Sequence, residues 1–468
     1  MNKTLSLSVV VIALFLSGCS LAPEYARPEA PIPGDWPQGA AYESGREKAG
    51  AAVVPMPGWR DFFADQKLQA IIRTALDSNR DLRLAALNVE KVRALYGVQR
   101  AALFPSVDAA GTMAKERVPA DLSSTGKSRI AEEYSVSLGI ASWEIDFFGR
   151  LRNLKDQALQ EFLATEQAHR SAQLSLISSV AGAYLALAAD RGNLGLAQST
   201  LDSQQAAYAL IQKRYDVGLA TELDLRRAQA QVEAARGSVA RYTQLTEQDR
   251  NALNLLAGAP VSEALLPEDL GGVSPPESIS PGLSSEVLLS RPDIMAAEHR
   301  LKGAYASIGA ARAAFFPRIS LTTSVGTASS ELSGLFSSGS ATWSFVPQIT
   351  MPIFDARTWA ALRVSKTEQQ IVLTQYEKAI QAAFREVADA LAVRGTIDRQ
   401  VAAQQSLVDA VAETYRLSNE RYENGVDSYL SVLDAQRALY SAQQGLISLR
   451  LAEFISRVTL YTVLGGGE

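Results

Sequence analysis

The chain repeats itself, and the repeat sets the scale of any fold it can adopt. Arg214-Tyr215-Asp216-Val217-Gly218 recurs as Arg421-Tyr422-Glu423-Asn424-Gly425. Downstream, with no gap, Leu223 matches Leu430 and Ala228-Gln229 matches Ala435-Gln436. Upstream, Tyr208 matches Tyr415 and Val180 matches Val387. A second block pairs Asp81, Arg100, Ala101, Phe104 and Pro105 with Asp293, Arg312, Ala313, Phe316 and Pro317. Self-similarity at a fixed offset of roughly two hundred residues is the mark of a tandem architecture. Residues 61–257 form the first repeat, 258–290 a linker and 291–468 the second repeat. The linker concentrates Gly258, Pro260, Gly271, Gly272, Pro275, Pro276 and Pro281, which leaves little room for long regular elements.

Long helices are expected in both repeats. No proline falls between Pro119 and Pro260, and none follows Pro352. Both intervals are rich in Ala, Gln, Leu and Arg, which favour helix. Val180, Leu187, Leu194, Leu201 and Tyr208 fall on one seven-residue register. Leu373, Ile380, Val387, Val401, Val408 and Tyr415 do the same, interrupted only by Arg394. Such a stripe packs helices side by side in coiled-coil fashion. A helix from 150 to 214 would span about 95 Å at 1.5 Å per residue, far beyond a compact globule. Each long helix ends at the repeated R-Y-x-x-G, where Gly218 and Gly425 supply the left-handed residue that closes it. Thr221 and Ser428 are placed to cap the next helix, and Asp224 has the capping-box spacing from Thr221. The motif therefore reads as a hairpin turn between antiparallel helices.

Strands are expected after each Phe-Pro, with strand pairs over about 104–147 and 316–354. Ile319, Leu321, Thr323 and Val325 alternate with Ser320, Thr322, Ser324 and Gly326. Trp343, Phe345 and Ile349 alternate with Thr342, Ser344 and Gln348. In the first repeat, Tyr134, Val136, Leu138 and Ile140 alternate with Ser135, Ser137, Gly139 and Ala141. Apolar one way and small-polar the other is the pattern of a transmembrane β-barrel, although a soluble sandwich alternates similarly. Four strands per chain cannot close a barrel, and open edges are not tolerated in lipid. Two copies would give eight strands with a filled interior, whereas three would give twelve with room for a water-filled lumen.

The N-terminus adds a membrane address. Lys3 precedes an apolar run from Leu5 to Leu16, too short to span a bilayer, so residues 1–18 read as a signal peptide. The run ends in Leu16-Ser17-Gly18-Cys19, which resembles the lipoprotein cleavage box and marks Cys19, the sole cysteine, for acylation. Residues 19–60 then form an acylated, Pro-rich and extended segment. A net charge of −5 excludes a basic nucleic-acid surface, so no nucleic-acid partner is expected. His169 and His299 lack the Cys or carboxylate spacing of a metal site. No nucleophile–base pair or phosphate loop points to an enzyme, and no cofactor is expected beyond the lipid on Cys19.

Together these features resemble the TolC-like outer-membrane factors, in particular the acylated OprM-type branch. The resemblance runs through Arg27-Pro28-Glu29-Ala30-Pro31, Asn79-Arg80-Asp81-Leu82-Arg83 and Ala311-Arg312-Ala313-Ala314-Phe315-Phe316-Pro317. It continues through Gly425-Val426-Asp427-Ser428-Tyr429-Leu430 into Leu433-Asp434-Ala435-Gln436-Arg437. It implies an α+β membrane protein: a trimeric, twelve-stranded transmembrane barrel continued by a long periplasmic α-helical barrel of coiled-coil hairpins. The implied function is the exit duct of a tripartite multidrug efflux pump. Its implied partners are a periplasmic adaptor, a proton-driven RND transporter of the inner membrane, and outer-membrane lipid. Ducts for metal ions or secreted proteins share the fold, and a non-conducting coiled-coil lipoprotein is the contrasting class. By resemblance, Asp224 and Tyr422 tie neighbouring coils in the closed state, and Leu430, Asp434 and Arg437 form the periplasmic constriction. Position 427 is Asp where the TolC branch carries an arginine, which implies the OprM mode of closure. The hairpin tips around Arg214, Tyr215, Gly218, Arg421 and Gly425 are the expected adaptor-docking surface.

Overall fold

The computed structural model describes residues 20–42, 56–277 and 284–467. Cys19 and residues 1–18, read from the sequence as a signal peptide, lie outside the described residues. Three helices open the folded part: α1 (Trp59–Phe62), α2 (Gln66–Ser78) and α3 (Arg80–Ala101). Then follow β1 (Asp108–Val118), β2 (Arg129–Ile145), the 67-residue α4 (Arg150–Asp216) and α5 (Glu222–Ala257). After short 3-10 turns come α6 (Pro292–Ala313), β3 (Arg318–Ser329) and β4 (Ala341–Thr350). The 68-residue α7 (Ala356–Glu423) and α8 (Tyr429–Val463) complete the order. The chain divides into two units. The first comprises residues 20–29 with Asn88–Glu166 and Ala296–Tyr376; the second takes Ala30–Leu87, Gln167–Met295 and Glu377–Glu468.

The first unit is built on a four-stranded antiparallel sheet in the order β1-β2-β3-β4. Register places most apolar members of β2, β3 and β4 on one face: Leu138 opposite Val325, and Val325 opposite Trp343. Ile319 likewise faces Ile349. The other face carries Ser137 opposite Gly326 and Ser324 opposite Ser344. Side chains alternate strictly along a strand, so β2 has a phase problem. Its apolar residues are even-numbered up to Ile140, then odd at Trp143 and Ile145. A bulge between Ile140 and Trp143 resolves it, with Ser142 at φ 57°. The extra residue returns Trp143 and Ile145 to the apolar face, opposite Leu321 and Ile319. Where the sheet meets its helices, buried Glu144 holds Arg150 through two 2.8 Å bonds and also pairs with Arg318 at 2.5 Å.

The second unit has the main apolar core. Phe62, Phe63, Leu68, Ile71 and Ile72 pack with Val180, Tyr184 and Leu187 of α4, Leu253 of α5 and Tyr461 of α8. Phe62 stacks on Tyr461 with ring centroids 4.2 Å apart. Among its described residues the inter-repeat segment has only 3-10 turns, in keeping with its glycines and prolines, yet Leu266, Leu270 and Val273 enter this core. The seven-residue stripes are buried at Val180, Leu187, Ile380 and Val387, and half-buried farther on at Leu201, Tyr208, Val408 and Tyr415. Gly258 closes α5 at φ 72°, and a Cβ there would lie 2.4 Å from the Ser78 carbonyl oxygen. Gly258→Ala should therefore destabilise this unit by about 1–3 kcal/mol. Gly195→Ala, mid-helix with open space around the added methyl, should be neutral or gain up to about 1 kcal/mol. Thermal melting followed by far-UV circular dichroism checks both; equal effects would contradict the geometry.

Candidate functional site

The two helical hairpins of the second unit hold most of the residues singled out from the sequence. Both use the repeated motif in the same way. Leu219 N–H donates to the Arg214 carbonyl at 2.7 Å and Gly218 N–H to that of Tyr215 at 2.9 Å. In the second hairpin, Val426 N–H donates to Arg421 O at 2.8 Å and Gly425 N–H to Tyr422 O at 3.0 Å. These are the paired bonds of a Schellman closure, with Arg and Tyr supplying the acceptors and Gly the left-handed residue. Gly218 has φ 79° and Gly425 φ 72°, which explains why the motif ends in glycine. The tips expose Val217, Leu219, Leu223 and Val426.

The two helix starts beyond these turns differ. Thr221 and Asp224 form a reciprocal capping box at α5. Ser428 occupies the N-cap of α8 but makes no side-chain cap bond, contrary to expectation. The backbone instead closes the turn, with Ser431 N–H on Ser428 O at 3.2 Å. Arg421 Nε bonds Asp427 Oδ2 at 2.5 Å, bracing the second turn with a pair the first lacks, since Ala220 stands at the position equivalent to Asp427.

Behind the tips, one small core unites the hairpins: Ile211, Leu225 and Ala228 meet Tyr429, Val432 and Leu433. Tyr208, Tyr415 and Tyr422 pack against it. Arg214 lies over the Tyr422 ring at 5.0 Å, and Tyr422 meets Tyr429 at 5.2 Å. Burial, reinforced by Tyr422 and Tyr415, pushes the Tyr429 hydroxyl up to about 12. Within the chain, Asp224 is engaged by Thr221 at 2.7 Å, while Tyr422 is engaged through its ring. Asp434 and Arg437 form an exposed ion pair one helical turn apart. Leu430 stands exposed one turn earlier on the same helix.

Sequence reasoning missed an acidic pair deeper in this unit. Asp249 Oδ2 of α5 is buried without a donor among the described residues. Burial first, and the adjacent Asp190 carboxyl of α4 second, push Asp249 up to about 6. Below about pH 6 a proton on Asp249 would supply the missing donor, shared with the Asp190 carboxyl. No spacing in sequence links positions 190 and 249, so only the helix pairing brings the pair to light.

The family model described as "Outer membrane efflux protein" matches residues 71–259 and 283–466. The chain belongs to this family. Among its relatives is the probable efflux pump outer membrane protein TtgC of Pseudomonas putida. It is 48% identical over 469 residues, covering 100% of this chain and 96% of TtgC. A solved membrane protein from Pseudomonas aeruginosa superposes with TM-score 0.90 at 41% identity, covering 96% of this chain and 98% of that one. The open state of the MtrE outer membrane channel of Neisseria gonorrhoeae gives TM-score 0.85 at 39% identity, over 96% and 98% of the two chains. As an outer membrane efflux protein the chain is a transport component of the outer membrane, of a family of ducts and not of enzymes.

The acidic pair yields a pH prediction. A carboxyl raised in the folded state contributes stability that is full below its unfolded value near 3.8 and lost as pH rises through about 6. Asp249→Asn should remove that loss. Its melting temperature should exceed wild type above pH 6, and the gap should close toward pH 4. A constant gap across the range would contradict the shared-proton reading.

Proposed function

We propose that the protein is the exit duct of a tripartite multidrug efflux pump, working as a homotrimer. The observation that carries this reading is the sheet: four strands, with the apolar residues of β2, β3 and β4 gathered mainly on one face, and two free edges, β1 and β4. Three copies pairing edge to edge would make a closed twelve-stranded barrel, apolar toward lipid and small-polar toward a lumen. The half-buried stripes of α4 and α7 would then be covered by helices of neighbouring copies. In this reading the drug cargo is chosen by the inner-membrane transporter, and the duct conveys it. The names of the relatives, an efflux pump component and an outer membrane channel, support the same reading.

In this account Cys19 carries the acyl anchor, and the exposed apolar tips at Val217, Leu219 and Val426 dock a periplasmic adaptor. Arg214, Tyr215, Gly218, Arg421 and Gly425 hold those tips in shape. Asp224, Tyr422, Leu430, Asp434 and Arg437 act as the periplasmic gate. Asp434 repeated around a threefold axis would concentrate negative charge and favour cations. In the closed trimer, the Arg437 and Asp434 side chains, exposed within one chain, would exchange partners across the subunit boundary.

The test is conductance in planar bilayers. An exposed ion pair is worth at most about 1 kcal/mol, so single changes move the open population only a few-fold. The combination Tyr422→Phe, Asp434→Ala and Arg437→Ala should raise single-channel conductance clearly, and Asp434→Ala alone should weaken cation preference in a salt gradient. Wild-type conductance in the triple variant, with normal oligomer yield, would remove these residues from the gate. A protein that inserts but never conducts would refute the duct.

A further inference from the structure

The second hairpin buries a polar group that nothing satisfies. Tyr429, the first residue of α8, is only 6% exposed, and its hydroxyl oxygen is enclosed without a hydrogen-bond partner among the described residues. It stands in the small core where Ile211, Leu225 and Ala228 of the first hairpin meet Val432 and Leu433 of the second. The chain itself seals the oxygen off, so neither water nor another copy of the chain reaches it while the hairpins stay packed. Tyr422 meets it ring to ring at 5.2 Å and does not bond the hydroxyl. A hydroxyl taken out of water with no partner in exchange destabilises whatever arrangement encloses it. That enclosure ends when the hairpins part, because Ile211, Leu225 and Ala228 belong to the other one.

The two repeats differ at this point. The equivalent residue of the first repeat is Glu222, which is exposed and pairs with Arg226. The first hairpin thus begins its return helix with a group at home in water, behind the capping box of Thr221 and Asp224. The second begins with an enclosed phenol, behind an N-cap, Ser428, whose side chain makes no cap bond. Of the two helix starts, that of α8 is the less satisfied. Tyr429 is also set among the residues assigned to the gate. Leu430 is the next residue, and the Tyr422 ring lies between Tyr429 and Arg214 of the first hairpin, with Arg214 5.0 Å from its centre.

We propose that Tyr429 is a further residue of the gate, a loaded spring whose unpartnered hydroxyl biases the second hairpin to part from the first. It is a positioning residue that acts through Tyr422 and Leu430. Its effect on conduction rests on the duct reading given above; the bias between the hairpins does not, because every group involved lies within one chain. The sign of each substitution follows. Phenylalanine fills the same space without the stranded oxygen, so Tyr429→Phe tightens the packing and opposes opening. That is the reverse of removing the ties at Tyr422, Asp434 and Arg437. Tyr429→Ala empties the core and loosens it. A residue that only filled space would make the phenylalanine form neutral.

Hydroxyl-radical footprinting with mass spectrometry, on the detergent-solubilised full-length assembly, reads this packing as oxidation of Leu225, Val432 and Leu433, which are buried while the hairpins are together. Their labelling should fall about threefold or more in Tyr429→Phe and rise in Tyr429→Ala, each relative to wild type. In planar bilayers the phenylalanine form should open less often than wild type, and the alanine form more often. Labelling in Tyr429→Phe equal to or above wild type would overturn the proposal, since the hydroxyl would then not disfavour the packed form. Lowered labelling with unchanged opening would remove Tyr429 from the gate and leave the duct reading standing. A wild type that never conducts would sink the duct reading, while the footprint still decides the bias between the hairpins. Should Tyr429→Ala fail to assemble, Tyr429→Phe keeps the ring and decides the matter alone.

Discussion

The free edges of the four-stranded sheet are the constraint on which the rest of the account turns. Each edge strand presents a row of backbone donors and acceptors, and hydrocarbon has no water to satisfy them. The strands of one chain, ordered β1-β2-β3-β4, cannot curl far enough to pair β1 with β4 around any lumen. On the proposed reading, copies of the chain complete the sheet, and the lumen exists only in the assembly. Other features serve that closure. The bulge at Ser142 keeps the apolar face unbroken along β2. The Glu144–Arg150–Arg318 clasp fixes how the sheet meets its helices.

The helical hairpins answer a different demand. A long helix must turn back without leaving polar backbone groups stranded, and the motif R-Y-x-x-G does this twice with the same bonds. The turns converge on one core, against which tyrosines from equivalent positions of the two repeats, Tyr208 and Tyr415, both pack. Surface pairs such as Asp434–Arg437 contribute little to the stability of one chain. In the proposed gate their value would lie in switching partners between copies, which suits a gate that must open under a modest force.

Much of this was legible in the sequence because the signals are local and repeated. Gly218 and Gly425 announce their turns, and the alternation around Ile319 and Trp343 announces the strands and their faces. The proline-free intervals foretell α4 and α7. What escaped is what local pattern does not encode. The bulge appears in sequence only as a change of parity between Ile140 and Trp143, which is easily read as the end of a strand. The Tyr25 and Arg27 contacts with Glu298 bridge 273 and 271 positions with no periodic trace. Asp190 and Asp249 meet only because two long helices run together. Ser428 looked like a cap by residue type, but the backbone closes that turn without its hydroxyl. Asp224, assigned a gating role by resemblance, spends its carboxylate within one chain on its own helix cap.

The measurement that bears most directly on the central claim is the mass of the assembly extracted from the outer membrane, by native mass spectrometry in detergent, with β-sheet content recorded on the same sample. The account predicts a single species of three processed chains that retains its sheet and falls apart and loses sheet in one step on heating. A stable monomer or dimer with full β-sheet content would contradict it, because the strand edges would then be satisfied without the closed, three-chain barrel.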